Sequence, residues 1–335
     1  MRWALLAILA SCYTPRLEAG SPCSETTPCP PPLVCAGSPG MCVTGLPPDA
    51  GLADTMPPDD SALDASLAPG NDLPAGATPI TGSMTITEDV TYAHDDASGP
   101  TSGNGTMFCD DHGGGRDVYF TITIPADEVW YLDTFGSTYD TLIRVYNGPC
   151  ATGPAPTGAI CHDNECSTTQ TQWLDTVQSG DNCVVVDEDT NGSPSTSPAM
   201  LVLHVERGNR NGTRLASGAS IATTGDTCHS SSVSTGSCGG AGAKDDAYYA
   251  TSCPSTVKTL DATTCDAATA FDTVLYARRD GTELACNNDD TACSTAVGAS
   301  TISGVKLGGP HLFWLIVDGG SATACGAYTL TTTLQ

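Results

Sequence analysis

Basic residues are scarce in this 335-residue chain. Twelve Lys and Arg stand against 38 Asp and Glu, a formal charge of −26, and no Lys or Arg occurs between Arg16 and Arg116. Such a surface repels nucleic acid, whose binding needs bases to neutralise phosphate, and it repels anionic lipid headgroups. It suits cations, or simple solvation. Aromatic residues make up 6% of the chain, with five Phe, and Leu, Ile and Val are sparse beside Gly, Thr, Ser, Asp and Ala. That mixture disfavours long helices and favours short strands with many turns. No apolar run is long enough to span a bilayer as a helix.

The motifs of common enzyme classes are missing from the sequence as well. HExxH, GxSxG, GxGxxG and the Walker loop do not occur. The six histidines, His94, His112, His162, His204, His229 and His311, never recur at matched positions of the repeat described below. Asp and Ser are so plentiful that a triad or a carboxylate pair can be drawn on paper almost anywhere, which indicates none. The expectation is a chain without catalytic residues.

Cysteine is abundant. Seventeen exceed what a reducing cytosol favours, and disulfides in an oxidising compartment are the natural account. The N-terminus MRWALLAILASC has a basic residue, an apolar stretch and small residues, the order of a secretory signal. Leu9-Ala10-Ser11-Cys12 resembles the bacterial lipobox. The resemblance implies cleavage after residue 11, a lipid on the Cys12 thiol, and stable anchoring by two or three acyl chains. Tyr13 in place of Asp implies sorting to the outer membrane, with the protein exposed at the cell surface. An ordinary signal peptide with an incidental Cys is the other reading. Removing Cys12 leaves sixteen cysteines, an even number, as complete pairing requires.

Cys23, Cys29, Cys35 and Cys42 fall in one Pro-rich stretch that has too few apolar residues for a core. Two disulfides are expected to staple residues 12–44 into a small module, with a zinc site as the rival. Residues 45–79 are rich in Pro, Ala, Asp and Gly without a base, and read as an extended, disordered acidic stalk.

Two similar segments follow. Tyr139-Asp-Thr-Leu-Ile-Arg-Val-Tyr-Asn-Gly148 is echoed by Phe271-Asp-Thr-Val-Leu-Tyr-Ala-Arg-Arg-Asp-Gly281. Asp140 matches Asp272, Cys161 matches Cys286, Cys166 matches Cys293 and Asp187 matches Asp318, while Cys109 and Cys238 each precede an Asp, Asp117 or Asp246, by the same spacing. Ordered recurrence of this kind means duplication, with copies over residues 80–207 and 208–335. Alternating runs such as DVYFTITI, apolar runs such as CVVVDE, and Asn-Gly or Asp-Gly turns predict an all-β chain of two tandem jelly-roll-like antiparallel β-sandwiches. The order DVYF, YDT, VVVD, LVLHV resembles the bacterial pre-peptidase C-terminal domain family. The resemblance implies β-sandwiches of the kind appended to secreted proteases, although no protease domain precedes them here.

Three features are candidate sites. Asp187, Asp189 and Asn191 occupy positions 1, 3 and 5 of an EF-hand-like loop with Gly192 at 6, which suits calcium, but Pro198 stands where a bidentate Glu belongs and no flanking helices are evident. Asp140 and Asp272 either cap turns or bind a cation. The acidic segments Cys161–Cys166 and Cys286–Cys293 read as loops clamped by a disulfide across each, presenting carboxylates outward or acting as plain stapled turns. Each copy holds an odd number of cysteines, five and seven, and the preferred resolution is a bridge between copies. The functional expectation is a non-catalytic surface lipoprotein whose sandwiches recognise an extracellular glycan or protein. The alternative is an accessory partner of a secreted peptidase or other hydrolase.

Overall fold

The computed structural model describes residues 33–36, 41–44, 67–97, 115–151, 160–190, 198–239 and 242–335. Cys12, Cys23, Cys29 and Asn191 lie outside them. The chain divides into two units, residues 1–60 and 61–335. In the first, strands β1 (Leu33–Ala36) and β2 (Met41–Thr44) form an antiparallel hairpin with Cys35 opposite Cys42 in the register.

The second unit is all-β. Its first half comprises β3 (Thr78–Pro79), β4 (Met84–Asp89), β5 (Asp117–Ile124), β6 (Glu128–Asp133), β7 (Thr141–Asn147), β8 (Ile160–Asp163), β9 (Gln172–Val177), β10 (Gly180–Glu188) and β11 (Met200–Arg207). Its second half comprises β12 (Thr213–Arg214), β13 (Gly218–Asp226), β14 (Asp246–Ala250), β15 (Val257–Thr263), β16 (Thr273–Arg279), β17 (Thr282–Asn288), β18 (Thr301–Gly308), β19 (Phe313–Gly319) and β20 (Ala327–Leu334). The sheets of the first half run β3-β5-β10-β7-β8 and β4-β11-β6-β9; those of the second run β12-β14-β19-β16-β17 and β13-β20-β15-β18. Adding nine to every label of the first half gives the second. Pairing is antiparallel except for the short contacts β3–β5 and β12–β14. The duplicated sequence landmarks are thus duplicated strands.

Each half has its own core, because alternate side chains of both sheets point inward. Phe120, Trp130, Trp173, Val184 and Leu203 pack in the first; Tyr248, Leu260, Leu315, Tyr328 and Leu330 pack in the second. Trp130 and Trp173 are among the largest fully buried side chains, and truncating either to Ala costs about 3–5 kcal/mol. The run Val129-Trp-Tyr-Leu132 of β6 is apolar at every position because the strand is covered on both faces. Trp130 and Leu132 face the core; Val129 and Tyr131 face outward, where Tyr249 and Leu312 of the second half cover them.

That contact joins the halves. The Val129 N–H donates to Arg210 O at 2.8 Å, and the Gly208 N–H donates to Val129 O at 2.8 Å. The connection threads so closely past Trp314 that a Cβ on Gly208 would lie 2.6 Å from Cζ2, and one on Gly212 2.8 Å from Cζ3, so both positions exclude a side chain. A disulfide between Cys166 and Cys253 also ties the halves together, and closing its 87-residue span contributes about 4–5 kcal/mol in the chain-entropy account.

Two expectations need correction. Residues 67–79 are not stalk. The Asp72 N–H donates to Pro69 O, Tyr119 N–H donates to Asn71 O at 2.9 Å, and β3 pairs with β5, so the first sandwich begins earlier than residue 80. The acidic loops are also not clamped internally. The pairs are Cys150–Cys183, Cys166–Cys253, Cys228–Cys325, Cys238–Cys286 and Cys265–Cys293, and Cys161 is bonded to a partner outside the described residues. The reason is strand geometry. Cys161 and Cys286 lie within the edge strands β8 and β17, whereas Cys166 and Cys293 lie past the strand ends, Cys166 in a left-handed conformation with φ 61°.

Candidate functional site

The repeated Asp-Thr motif begins as framework. Thr141 and Thr273 start β7 and β16, and each hydroxyl meets another buried threonine hydroxyl, Thr134 at 2.5 Å and Thr264 at 2.6 Å. Thr134 and Thr264 in turn accept the N–H of Thr171 and of Ser300. Tyr139 and Phe271 pack into or against the two cores. The Thr and the aromatic residue therefore recur for structural reasons.

Asp117 is also framework, but its counterpart is not Asp246. Val186 lies opposite Val118, whereas the equivalent Val317 lies opposite Asp246. The match shifts by one residue, to Asp245. Asp117 Oδ2 accepts the N–H groups of Asp96 and Ala97 at 2.6 and 2.7 Å. Asp245 Oδ2 likewise accepts those of Val233 and Ser234, both at 2.9 Å. Each carboxylate holds down a preceding loop. Asp246 instead accepts from the hydroxyls of Ser230 and Tyr328.

Of the calcium loop expected at Asp187, Asp189 and Asn191, Asn191 lies outside the described residues. Asp187 is still within β10, on the face turned away from the first core, where its carboxylate meets the buried Arg144 guanidinium at 2.5 Å. Asp189 lies beyond the strand end and joins Asp140 and Asp163, the three offering carboxylate oxygens all within 4.8 Å of one another. Oδ1 of Asp140 and Oδ1 of Asp163 are buried without a hydrogen-bond partner. Burial first, and then the neighbouring carboxylates, push Asp140 and Asp163 each up to about 6. A set of close oxygen donors that resist simultaneous ionisation is the chemistry that a hard cation relieves. Thus Asp140 of the repeat, Asp163 of the acidic segment and Asp189 of the DEDTNG stretch, read separately in sequence, come together at one end of the first sandwich.

A second group lies where the halves meet. A cavity of about 660 Å³ is lined from the first half by His204, Glu206 and Arg207, and from the second by Arg278, His311 and Trp314, among others. His204 and Glu206 are two apart on β11, so both leave the core face that Leu203 and Val205 occupy. Glu206 is 5% exposed; its Oε1 lies 2.6 Å from His311 Nδ1 and its Oε2 accepts the Leu312 N–H at 2.7 Å. Burial raises the Glu206 pKa. The hydrogen bond that the His204 ring makes to the Asp133 carboxylate raises the pKa of that histidine. Arg207 pairs with Glu128 through both its Nε and Nη2, and lies over Trp130. Arg210 pairs with Asp245 and lies over the Trp314 ring. Sequence reasoning missed this group. Its one local signal was polar residues alternating with apolar ones in Leu201-Val-Leu-His-Val-Glu206, and its partner His311 stands 105 residues away from Glu206.

No family model matches the chain, and no curated protein matches it. Among solved structures it is similar to the pre-peptidase C-terminal domain of collagenase from Bacillus anthracis, at 10% identity and TM-score 0.21, covering 39% of this chain and 94% of that one. It is similar to the CUB1-EGF-CUB2 domains of rat MASP-1, at 9% identity and TM-score 0.20, covering 77% and 99%. A triple jelly roll of an archaeal virus matches at 11% identity and TM-score 0.20, covering 75% and 59%. At such TM-scores these likenesses add nothing to the all-β fold already seen, and they assign no family.

Proposed function

We propose that this protein is a non-catalytic recognition protein of the bacterial cell envelope, held at the outer membrane through a lipid on Cys12, which binds an extracellular glycan in the cleft between its two sandwiches. The observation that carries the reading is the shared cavity of about 660 Å³. It has walls from both halves, and the covalent tie Cys166–Cys253 keeps those halves together. Its lining joins an indole, Trp314, with guanidinium groups of Arg207, Arg210 and Arg278 and with acidic residues. A flat apolar ring beside fixed donors and acceptors suits a sugar, whose faces carry C–H groups and whose rim carries hydroxyls. Three of the chain's twelve bases converge on this one cleft of an otherwise acidic protein. Calcium belongs to the same proposal as a ligand of Asp140, Asp163 and Asp189, where it would fix one end of the first sandwich.

The test is a glycan array probed with the full mature chain, followed by titration of any hit. Binding by the wild type that falls at least about tenfold in Trp314→Ala and in Arg278→Ala is the expected result, since a lost stacking or charged contact is worth about 1.4 kcal/mol or more. Arrays without a hit, together with co-purification of a secreted peptidase, would favour the accessory-partner reading instead.

A further inference from the structure

We infer that the junction of the two sandwiches is a binding site for a divalent transition metal of the zinc type, with His204 and Glu206 supplied by the first sandwich and His311 and Asp280 by the second. Three of the donors, Glu206, Asp280 and His311, are already assembled, and His204 stands beside Glu206. Glu206 Oε1 lies 2.6 Å from His311 Nδ1 and 3.5 Å from His204 Nε2, and Asp280 Oδ2 lies 3.7 Å from His311 Nδ1. One ligand atom each of Glu206, Asp280 and His311 falls within 4.8 Å of the others. Bonds of about 2.0–2.1 Å to a tetrahedral ion set its ligands about 3.3 Å apart, so the Glu206–His311, Glu206–His204 and Asp280–His311 separations need adjustments of less than about 1 Å, while the His204 ring, its centre 6.0 Å from that of His311, must move further in to complete the set.

Three further features separate this group from a chance cluster of charges. The donor types are mixed, two imidazoles and two carboxylates, which favours zinc and its neighbours over calcium or magnesium. The His204 ring is oriented from behind: its Nδ1 sits 3.0 Å from Oδ2 of Asp133, a carboxylate 2% exposed, which leaves Nε2 turned towards Glu206. A carboxylate holding the far nitrogen of an imidazole is the usual support of a metal-ligating histidine. Finally, the group opens on the cavity between the halves, and both imidazoles are partly exposed, so an ion has a way in.

Each sandwich brings one histidine and one carboxylate. The Asp280 carboxylate is delivered by the β16–β17 turn, where Asp280 itself adopts a left-handed backbone with φ 47°. His311 and Leu312 stand just before β19, and both contact Glu206. A bound ion would therefore pin this turn and the approach to β19 onto β11 of the other half, a second tie between the copies beside the Cys166–Cys253 bridge. The site does not depend on the glycan reading, since an ion would bind with no other ligand present.

The experiment uses the mature chain with its disulfides intact, stripped with EDTA and titrated first with Co²⁺ and then with Zn²⁺. One Co²⁺ per chain with the intense visible bands of a four-coordinate ion, displaced by Zn²⁺, is expected. His311→Ala and His204→Ala should lose those bands and weaken Zn²⁺ at least about tenfold. Asp133→Asn should keep the bands and weaken Zn²⁺ by about 10–100-fold, as loss of a supporting carboxylate does. Asp280→Asn, at a half-exposed turn whose left-handed backbone Asn also adopts, should weaken Zn²⁺ while leaving the near-ultraviolet circular dichroism unchanged, which separates loss of a ligand from loss of the fold. Asp189→Ala should leave Zn²⁺ binding as it is. A wild-type chain without four-coordinate Co²⁺ bands, or bands that survive in both His311→Ala and Asp280→Asn, overturns the assignment.

Discussion

The two sandwiches share every strand and strand neighbour yet differ at the positions where charge gathers. In the first, Arg144 and Asp187 form a buried ion pair between β7 and β10. In the second, Tyr276 and Asp318 occupy the same register positions, and the phenol hydroxyl lies 3.4 Å from Asp318 Oδ2. In the first, Asp140, Asp163 and Asp189 converge. In the second, the equivalents are Asp272, Asn288 and Gly320: Asn288 lies opposite Val274 as Asp163 lies opposite Leu142, and the Gly320 N–H donates to Asp272 O as that of Asp189 does to Asp140 O. Gly320 has no side chain where Asp189 supplies the third carboxylate of the first copy. The Thr pairs and the loop-holding Asp residues survive in both copies because the strands need them. The carboxylate cluster exists in one copy, so the fold does not require it.

The largest difference between the copies should appear when the central pairs are broken. Arg144→Leu takes the guanidinium away from the Asp187 carboxylate, 2% exposed, and removing one partner of a buried pair costs about 3–5 kcal/mol. Tyr276→Phe removes hydrogen bonds to Ser234 at 2.9 Å and to Asp318, a loss of about 1–2 kcal/mol. Urea unfolding of the two variants should rank them in that order; equal losses would mean that the ion pair is worth no more than the phenol.

The same position gives a pH effect of intermediate size. Burial is the main cause that raises the Asp318 carboxyl from 3.8 to about 6. A carboxyl whose folded pKa exceeds its unfolded value holds its proton more tightly when folded. Its contribution to stability is therefore full below 3.8 and is lost as pH climbs through about 6. Thermal unfolding between pH 4 and 7 should show a decline with rising pH, and Asp318→Asn, which cannot ionise, should make it shallower, Asp140 and Asp163, also raised to about 6, supplying the remainder. An unchanged slope in the variant would place the titration elsewhere.

Much of the fold was legible because its signals are local or repeated. Alternation in DVYFTITI, the Asn-Gly and Asp-Gly turns and the paired landmarks are properties of short stretches. The odd cysteine counts of the copies also pointed to a bridge between them, and Cys166–Cys253 is one. What sequence hid was long-range. The alternating run Leu201–Glu206 looked like an ordinary strand, and nothing in it says that its polar face meets His311 and Asp280 of the other half. The expected pairing of Cys161 with Cys166 fails because neighbours in sequence need not be neighbours in space: an edge strand carries its cysteine away from the turn that follows. The match of Asp117 with Asp246 fails for a similar reason: spacing from a cysteine cannot see a one-residue shift in strand register, and such a shift turns a side chain to the opposite face.

The smallest expected effect is the most informative about the difference between the copies. If Asp140, Asp163 and Asp189 hold calcium, adding the ion to EDTA-treated protein should raise the melting temperature by a few degrees, following RT ln(1 + [L]/Kd), about 2.7 kcal/mol at a hundredfold excess over Kd. Asp189→Ala should abolish the shift, since it removes the donor that Gly320 lacks in the second copy. Asp272→Ala should leave the shift intact, because Asp272 has Asn288 and Gly320 where Asp140 has two carboxylates. Without calcium the sign reverses: Asp189→Ala should stabilise the protein slightly, by relieving the like charge that helps to raise Asp140 and Asp163. A variant that is more stable in EDTA and less stable in calcium than the wild type cannot be explained by packing alone, so the crossover separates a cation site from a merely crowded set of acids.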